Sequence, residues 1–181
     1  MDISDILQRI DAGDRDAFAE VVTHHQHALF GFLGRMGLSA ALVEDLAQET
    51  FIRAWRHLGD FDPARAGFST WLFTIARNLA FNECTRAARR REVPPPEDEP
   101  EATCHAPQPP EAYERDQTRR RLQAALRQLP LADRSVIALA YVRELDGTEI
   151  ARIEGCSPAA VKTRLHRARQ RLRELLETDH G

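Results

Sequence analysis

A chain of 181 residues has room for two small domains, and 43% hydrophobic with 29% charged residues is the composition of a folded protein, not a disordered one. No apolar run approaches the roughly 18 residues that a bilayer-spanning helix needs, and the acidic start MDISDILQRIDAGDRD lacks a signal peptide's basic head and apolar core, so a cytoplasmic address is expected. The formal net charge of −3 taken alone speaks against a nucleic-acid ligand, but the charge is segregated along the chain. Ala and Leu abound while aromatics and runs of Val, Ile and Thr are scarce, which predicts an all-α fold.

Ile3, Ile6, Leu7 and Ile10 fall at helical spacing and predict a short amphipathic helix that stops near Gly13. Asp14 or Asp16 is placed to cap a second helix carrying Phe18, Val21, Val22, Leu29, Phe30 and Leu33, with Gly34 and Gly37 loosening its end. Ser39 suits the cap of a third helix, whose apolar stripe is Leu42, Val43, Leu46, Ala47, Thr50, Phe51, Ala54 and Leu58. Residues 59–68, GDFDPARAGF, read as a turn-rich loop. Ser69 is then expected to cap a fourth helix with Phe68, Leu72, Ile75, Ala76 and Leu79 toward the core.

Residues 93–112 hold seven of the ten prolines, several acids and hardly a large apolar side chain. Proline removes the backbone donor and disfavours helix before it, so this stretch reads as a flexible linker. Two small helical domains are therefore expected, 1–91 and 113–181, joined across 92–112. The second begins with a helix through Leu122, Leu126 and Leu129 that breaks at Pro130. Another is predicted over about 132–143 with Val136, Ile137, Leu139 and Ala140, then a short one near 148–154 and a long one from 158 to about 177.

The segment charges alternate: −5 over 1–60, +3 over 61–92, −6 over 93–116 and +5 over 117–181. Two basic blocks flank an acidic spacer, a pattern that favours polyanion binding by the blocks. Cys84, Cys104 and Cys156 are odd in number and far apart, with no CxxC pair, so neither a disulfide framework nor a zinc site is expected. Cys104–His105 and the cluster His24, His25, His27 lack a second ligand pair, and no metal or other cofactor is expected. There is no phosphate loop, catalytic triad or paired-acid motif at a useful spacing, which leaves no enzyme or small-molecule substrate in view.

Three stretches carry the functional reading. In residues 146–172, DGTEIARIEGCSPAAVKTRLHRARQRL, Ile150, Ala151 and Ile153 mark a short helix and Gly155 a turn. Ser157 is an N-cap, Pro158 takes the first helical position, and Val161, Leu165, Ala168 and Leu172 form a buried stripe. This is a helix-turn-helix pattern. Between Ser157 and Arg173 lie six basic residues and no acid, with Ala159, Ala160, Lys162, Thr163 and Arg164 set for the major groove and Arg167 and Arg171 for phosphates.

The second stretch is residues 69–91, whose side opposite the core stripe shows Thr70, Phe73, Thr74, Arg77, Asn78, Phe81 and Asn82, with Arg86, Arg89, Arg90 and Arg91 beyond. Rings and amides beside guanidiniums suit single-stranded DNA; periodicity alone equally allows Trp71, Phe73 and Phe81 to be core. The third is residues 43–56, with Glu44, Asp45, Gln48, Glu49, an exposed Ile52, Arg53 and Arg56 on the polar side. Its acids suit the helix dipole and suit docking on a basic partner helix equally.

Taken together, VEDLAQETFIRAWRHL followed by FSTWLFTIARNLAFNECTRAARR resembles region 2 of the extracytoplasmic-function sigma factors of RNA polymerase. LRQLPLADRSVIALAYVRELDGTEIARIEGCSPAAVKTRLHRAR resembles their region 4, and together they span nearly the whole chain outside the linker and extreme termini. The resemblance implies a sigma factor that binds core RNA polymerase, through its clamp helices and flap, and promoter DNA, with no membrane insertion. Asp45, Gln48, Glu49, Ile52 and Arg53 would meet the clamp helices. Asp60, Phe61 and Arg65 of the loop, with Thr74, Arg77, Asn78, Phe81 and Arg86, would capture the melted −10 element. Ser157, Ala159, Ala160, Lys162, Thr163, Arg164, Arg167 and Arg171 would read the −35 duplex. The acidic linker would thread the RNA-exit path, and regulation would come from a separate anti-sigma protein. Gly147 and Glu154 depart from the family pattern, standing where a larger and an apolar residue are frequent. A repressor or activator that reads duplex operator with the same helix-turn-helix is the competing class.

Overall fold

The computed structural model describes residues 3–92, 110–142 and 145–178, with side chains over 3–89, 117–142 and 145–177. These described residues form eight helices, two 3-10 turns and no strand. The first half comprises α1 (Ile3–Asp11), α2 (Phe18–Arg35), α3 (Ala40–Arg56) and α4 (Phe68–Glu92), with 3-10 turns at Arg15–Ala17 and Leu58–Asp60. The second comprises α5 (Pro110–Gln128), α6 (Leu131–Ala140), α7 (Gly147–Glu154) and α8 (Pro158–Thr178). No described helix is long and apolar enough to cross a membrane.

Helix starts follow local chemistry, with two departures from the sequence pattern. Ser39 caps α3 as expected, its Oγ accepting from the Leu42 amide at 3.4 Å. Neither Asp14 nor Asp16 caps α2, because the 3-10 turn intervenes and Ala17 takes the cap position without a side-chain bond. Asp14 is drawn instead to Arg9 at 2.9 Å. Ser69 does not cap α4: the helix begins at Phe68, and the Gly67 carbonyl receives the Trp71 amide at 3.1 Å. Farther on, α6 ends at Ala140, short of the predicted 143, where the Tyr141 and Val142 amides fold back to Ala138 and Leu139. Helix α4 runs to Glu92 and α5 starts at Pro110, so helix enters both ends of the expected linker; its remainder, with Cys104 and His105, lies outside the described residues.

Burial sorts into three clusters. Ile6, Phe18, Val21, Ala54, Phe68 and Leu72 close α1 to α4 at one end. Leu126, Leu129, Ile137 and Ala168 join α5, α6 and α8 at the other. The largest lies between them and belongs to both halves: Leu29, Phe32, Leu33, Met36, Phe73, Ala76 and Ala80 pack with Val136, Leu139, Val142, Ile150 and Ile153. Fully burying a Leu or Phe contributes about 1.5–3 kcal/mol, so the joint between the halves is a true core and not a glancing contact.

Polar straps reinforce the joint. Arg134 on α6 donates Nη1 to the Met36 carbonyl at 2.8 Å, just past the end of α2, and Nη2 to the Arg127 and Leu129 carbonyls at 2.9 and 3.1 Å. Arg127 donates to the Gly37 carbonyl at 2.9 Å. Gly37 sits at φ +76, and a Cβ there would stand 2.8 Å from Arg127 Cγ, so glycine is required by backbone and neighbour alike. Burial lowers the Arg134 guanidinium from its ordinary value, with Cys84 opposing that shift and Arg127 adding to it.

Candidate nucleic-acid interfaces

The helix-turn-helix is built as its sequence requires. Asp146 caps α7 by accepting from the Thr148 and Glu149 amides at 2.7 and 2.8 Å, while Glu149 accepts from the Asp146 amide at 2.8 Å. This capping box satisfies the amides that a start at Gly147 would otherwise leave bare. The Asp-x-x-Glu spacing signals it in the sequence, although the motif is easily read past. Gly155 ends α7 in the left-handed region at φ 65, and Ser157 Oγ accepts from the Ala160 amide at 3.2 Å to start α8. Ile150, Ala151, Ile153, Val161 and Ala168 are buried, and Leu165 and Leu172 half-buried, so the inner stripe stands as predicted.

The outer face of α8 is open. Ser157, Ala159, Lys162, Thr163, Arg167 and Arg171 are exposed and Ala160 is half-exposed; Thr163 Oγ1 bonds back to the Ala159 carbonyl at 3.0 Å. Arg164 differs from these. Its guanidinium lies 3.9 Å from Asp133 and 3.7 Å from Glu154, turned toward the body of the protein.

The face of α4 is largely closed. Thr70 and Phe73 are buried, the latter meeting Phe32 edge-on at 5.7 Å, so both belong to the packing and not to an open surface. Thr74 is half-buried and bonds to the Thr70 carbonyl at 2.7 Å. The Arg77 guanidinium lies over the Phe81 ring at 3.6 Å, a stacked pair that suits a base or a phosphate. Asn78 and Arg86 are exposed, and Arg86 reaches Glu83 at 3.4 Å. In the preceding loop Asp60 and Arg65 are exposed, with Asp60 on His57 at 2.9 Å. Phe61 is instead half-buried among rings, 5.3 Å from Phe68 and 5.5 Å from Trp71. Periodicity could not sort the α4 rings because apolar residues over 68–81 fall on most sides of the helix.

On α3, Asp45, Gln48 and Arg53 are exposed, and Glu49 bonds Arg53 at 2.6 Å. Ile52 is half-buried, not exposed as the pattern suggested, because it stands at the margin of the inner stripe.

What sequence patterning did not reveal is the contact between α4 and α7. Glu149 accepts from the Thr70 hydroxyl at 3.1 Å. Glu154, whose side chain is fully buried, accepts from Ser135 and has Oε2 3.5 Å from Arg77 and 3.7 Å from Arg164. One carboxylate thus stands between a cation from each half. Its only sequence signal is an acid at the helix position facing inward, where the pattern favours an apolar residue.

Comparison with known proteins gives these features a context. The family model "Sigma-70 region 2" matches residues 21–90, and "Sigma-70, region 4" matches 119–172. Among curated relatives, the ECF RNA polymerase sigma factor RpoE of Cereibacter sphaeroides is 35% identical, covering 91% of this chain and 88% of that one. The RNA polymerase sigma factor CarQ of Myxococcus xanthus is 34% identical over 94% and 95% of the two chains. Of solved structures, CnrH in complex with the cytosolic domain of CnrY superposes with a TM-score of 0.70 at 29% identity, covering 96% of each chain. RpoE in complex with the anti-sigma factor NepR from Bartonella quintana gives 0.67 at 25% identity, over 90% and 98%. A helix-turn-helix regulator would account for α7 and α8 but not for the region 2 match. The chain belongs to the extracytoplasmic-function group of the sigma-70 family and is an alternative sigma factor.

Proposed function

We propose that the promoter is recognised by two separate surfaces of this sigma factor, α8 on the −35 duplex and α4 with its preceding loop on the melted −10 strand. The observation that carries this reading is the open row of Lys162, Thr163, Arg167 and Arg171 on α8, set against the Arg77–Phe81 stack on α4. Cations on phosphates give affinity, while groove-facing side chains and stacked rings give choice of sequence. Arg164, Asn78 and Arg86 complete the two surfaces, and the loop residues Asp60, Phe61 and Arg65 join α4 in capturing an unstacked base.

Core polymerase docks on two further faces. Asp45, Gln48, Glu49, Ile52 and Arg53 meet the clamp helices, where an acidic face suits basic partners. The flap seats in the groove between α5 and α8, floored by Leu122, Tyr141, Leu172 and Leu176; Leu122 and Tyr141 are among the few large apolar side chains left exposed. The protein works in the cytoplasm, catalyses nothing itself, and is held inactive by an anti-sigma protein, as the complexes formed by its structural relatives support.

Run-off transcription with purified core polymerase over genomic promoter fragments tests the reading. Sigma-dependent transcripts are expected, and their absence with a competent core would defeat it. The double substitution Asp45→Ala, Glu49→Ala is expected to weaken core binding and leave duplex binding intact. Wild-type core affinity in that variant would refute the clamp assignment.

A further inference from the structure

We infer that Lys162, with His166 beside it, is a site of lysine acylation that takes its acyl group from an acyl phosphate or an acyl thioester and thereby weakens reading of the −35 duplex. The inference rests on the assignment of α8 to that duplex and concerns how the surface is controlled.

Of the 25 basic residues in the chain, Lys162 alone is a lysine. A guanidinium keeps its proton in proteins and is no nucleophile, whereas a lysine amine becomes one once its proton leaves. A reagent that acylates lysine therefore finds a single side-chain amine in the whole molecule. That amine is exposed on the second turn of α8, in the row assigned to the major groove. His166 is exposed as well and follows at i+4, where helix side chains are neighbours. An imidazole so placed is suited to receive the proton that the amine sheds. Exposed Arg167 and Arg171 add a positive potential to this side of the helix, which concentrates anionic donors such as acyl phosphates.

The step is a substitution at the acyl carbon with no change of oxidation state. Neutral Nζ attacks the carbonyl carbon and a C–N bond forms. The C–O bond of the acyl phosphate, or the C–S bond of the thioester, breaks, and its electron pair leaves on phosphate or thiolate. One nitrogen proton passes to His166 and on to water. The amide that results has lost the charge and no longer acts as a cation toward DNA. Arg53 on the clamp face and Arg77 and Arg86 on the strand surface are arginines and do not react. One modification thus subtracts the duplex contact and spares the other two.

The test uses the full chain and its Lys162→Arg and His166→Gln variants. Each is treated with acetyl phosphate or acetyl-CoA, freed of the reagent, mapped by peptide mass spectrometry, and combined with core polymerase. Acetylation of Lys162 by either donor supports the site, and the two arms tell an acyl phosphate from a thioester. The acetylated wild type is expected to bind a promoter fragment about tenfold more weakly as holoenzyme. Its salt slope should be lower by about one, and its affinity for core unchanged. Lys162→Arg, whatever its own starting affinity, should gain no side-chain acetyl group and should not respond to treatment. His166→Gln should be acetylated several-fold more slowly. Lys162 left unmodified by donors that acetylate a lysine peptide in parallel would overturn the proposal. So would an acetylated chain that binds promoter as before, an equal loss in treated Lys162→Arg, or a wild-type rate in His166→Gln. The promoter fragment is one that untreated wild type transcribes in the run-off assay. If none is transcribed, the sigma mechanism itself fails and the regulatory consequence falls with it, while the mass spectra still decide the chemistry at Lys162.

Discussion

Helices α4 and α8 carry the same chemistry, cations among small polar groups, yet stand in opposite states. The outer face of α8 is open because a helix-turn-helix needs only one stripe of its second helix inside, and Val161 and Ala168 supply it. Helix α4 is central, packed against α2, α3, α6 and α7, and its remaining open positions include Asn78, Asn82, Thr85 and Arg86. Position in the packing, more than composition, decides which surface the free protein offers. The face proposed for duplex is open, whereas Arg77, proposed for the strand, lies against α7.

The strongest way to break this contrast is to attack a side chain that sequence patterning left open between surface and core and the structure puts inside. Phe73→Ala removes a fully buried ring and is expected to cost about 3–5 kcal/mol of stability. Denaturant unfolding measures it. A loss below about 1 kcal/mol would mean that Phe73 is a surface residue and that α4 is open after all. On α8 the same logic runs in reverse. Arg167→Ala is expected to leave stability within about 0.5 kcal/mol while lowering the salt slope of duplex binding by about one. A destabilised variant, or an unchanged slope, would remove Arg167 from the phosphate-facing set.

A smaller effect tests how firmly the helix-turn-helix is set. Asp146→Ala removes the side-chain acceptor of two α7 amides and is expected to cost about 1 kcal/mol by thermal unfolding. Because Glu149 belongs both to this cap and to the Thr70 contact, the loss should appear as well in faster amide exchange where α4 meets α7. Exchange unchanged on α4 would show the cap and the α4–α7 contact to be independent.

The sequence disclosed most where one local rule decides the outcome. Ser157–Pro158 fixed the start of α8, Gly155 its turn, and the spacing Val161, Leu165, Ala168, Leu172 its inner stripe. Patterning faltered where two elements compete for one side chain. Phe73 and Phe81 stand on one helix, and Phe73 is inside because Phe32 of α2 packs on it from a distant part of the chain. The joining of the two halves through Arg134, Arg127 and Gly37 has no periodicity at all, since each bond crosses some ninety residues or more to a backbone carbonyl. Glu154 was visible only as a misfit, and a misfit says that something is compensated without saying by what.

The gentlest probe of the covered side is pH, through Cys84. This thiol on α4 points at the Met36 carbonyl, with sulfur to oxygen 3.9 Å, beside the Arg134 strap. Burial pushes it above its ordinary value; Arg134 opposes the shift and Glu83 adds to it. The folded chain therefore holds the thiol proton more tightly than the unfolded chain does. That contribution is complete below the ordinary thiol value of about 8.5 and is lost as pH rises through the raised one. Wild-type stability should consequently fall more steeply than that of Cys84→Ala over this alkaline range, with the two curves parallel at neutral pH. The loss should fall on the joint, where α4 meets the end of α2, and leave duplex binding by α8 nearly untouched until global unfolding sets in. Parallel curves throughout would place Cys84 in water. Equal loss at both surfaces would mean that the halves come apart only by unfolding, and the contrast between a covered and an open helix would then have no functional consequence.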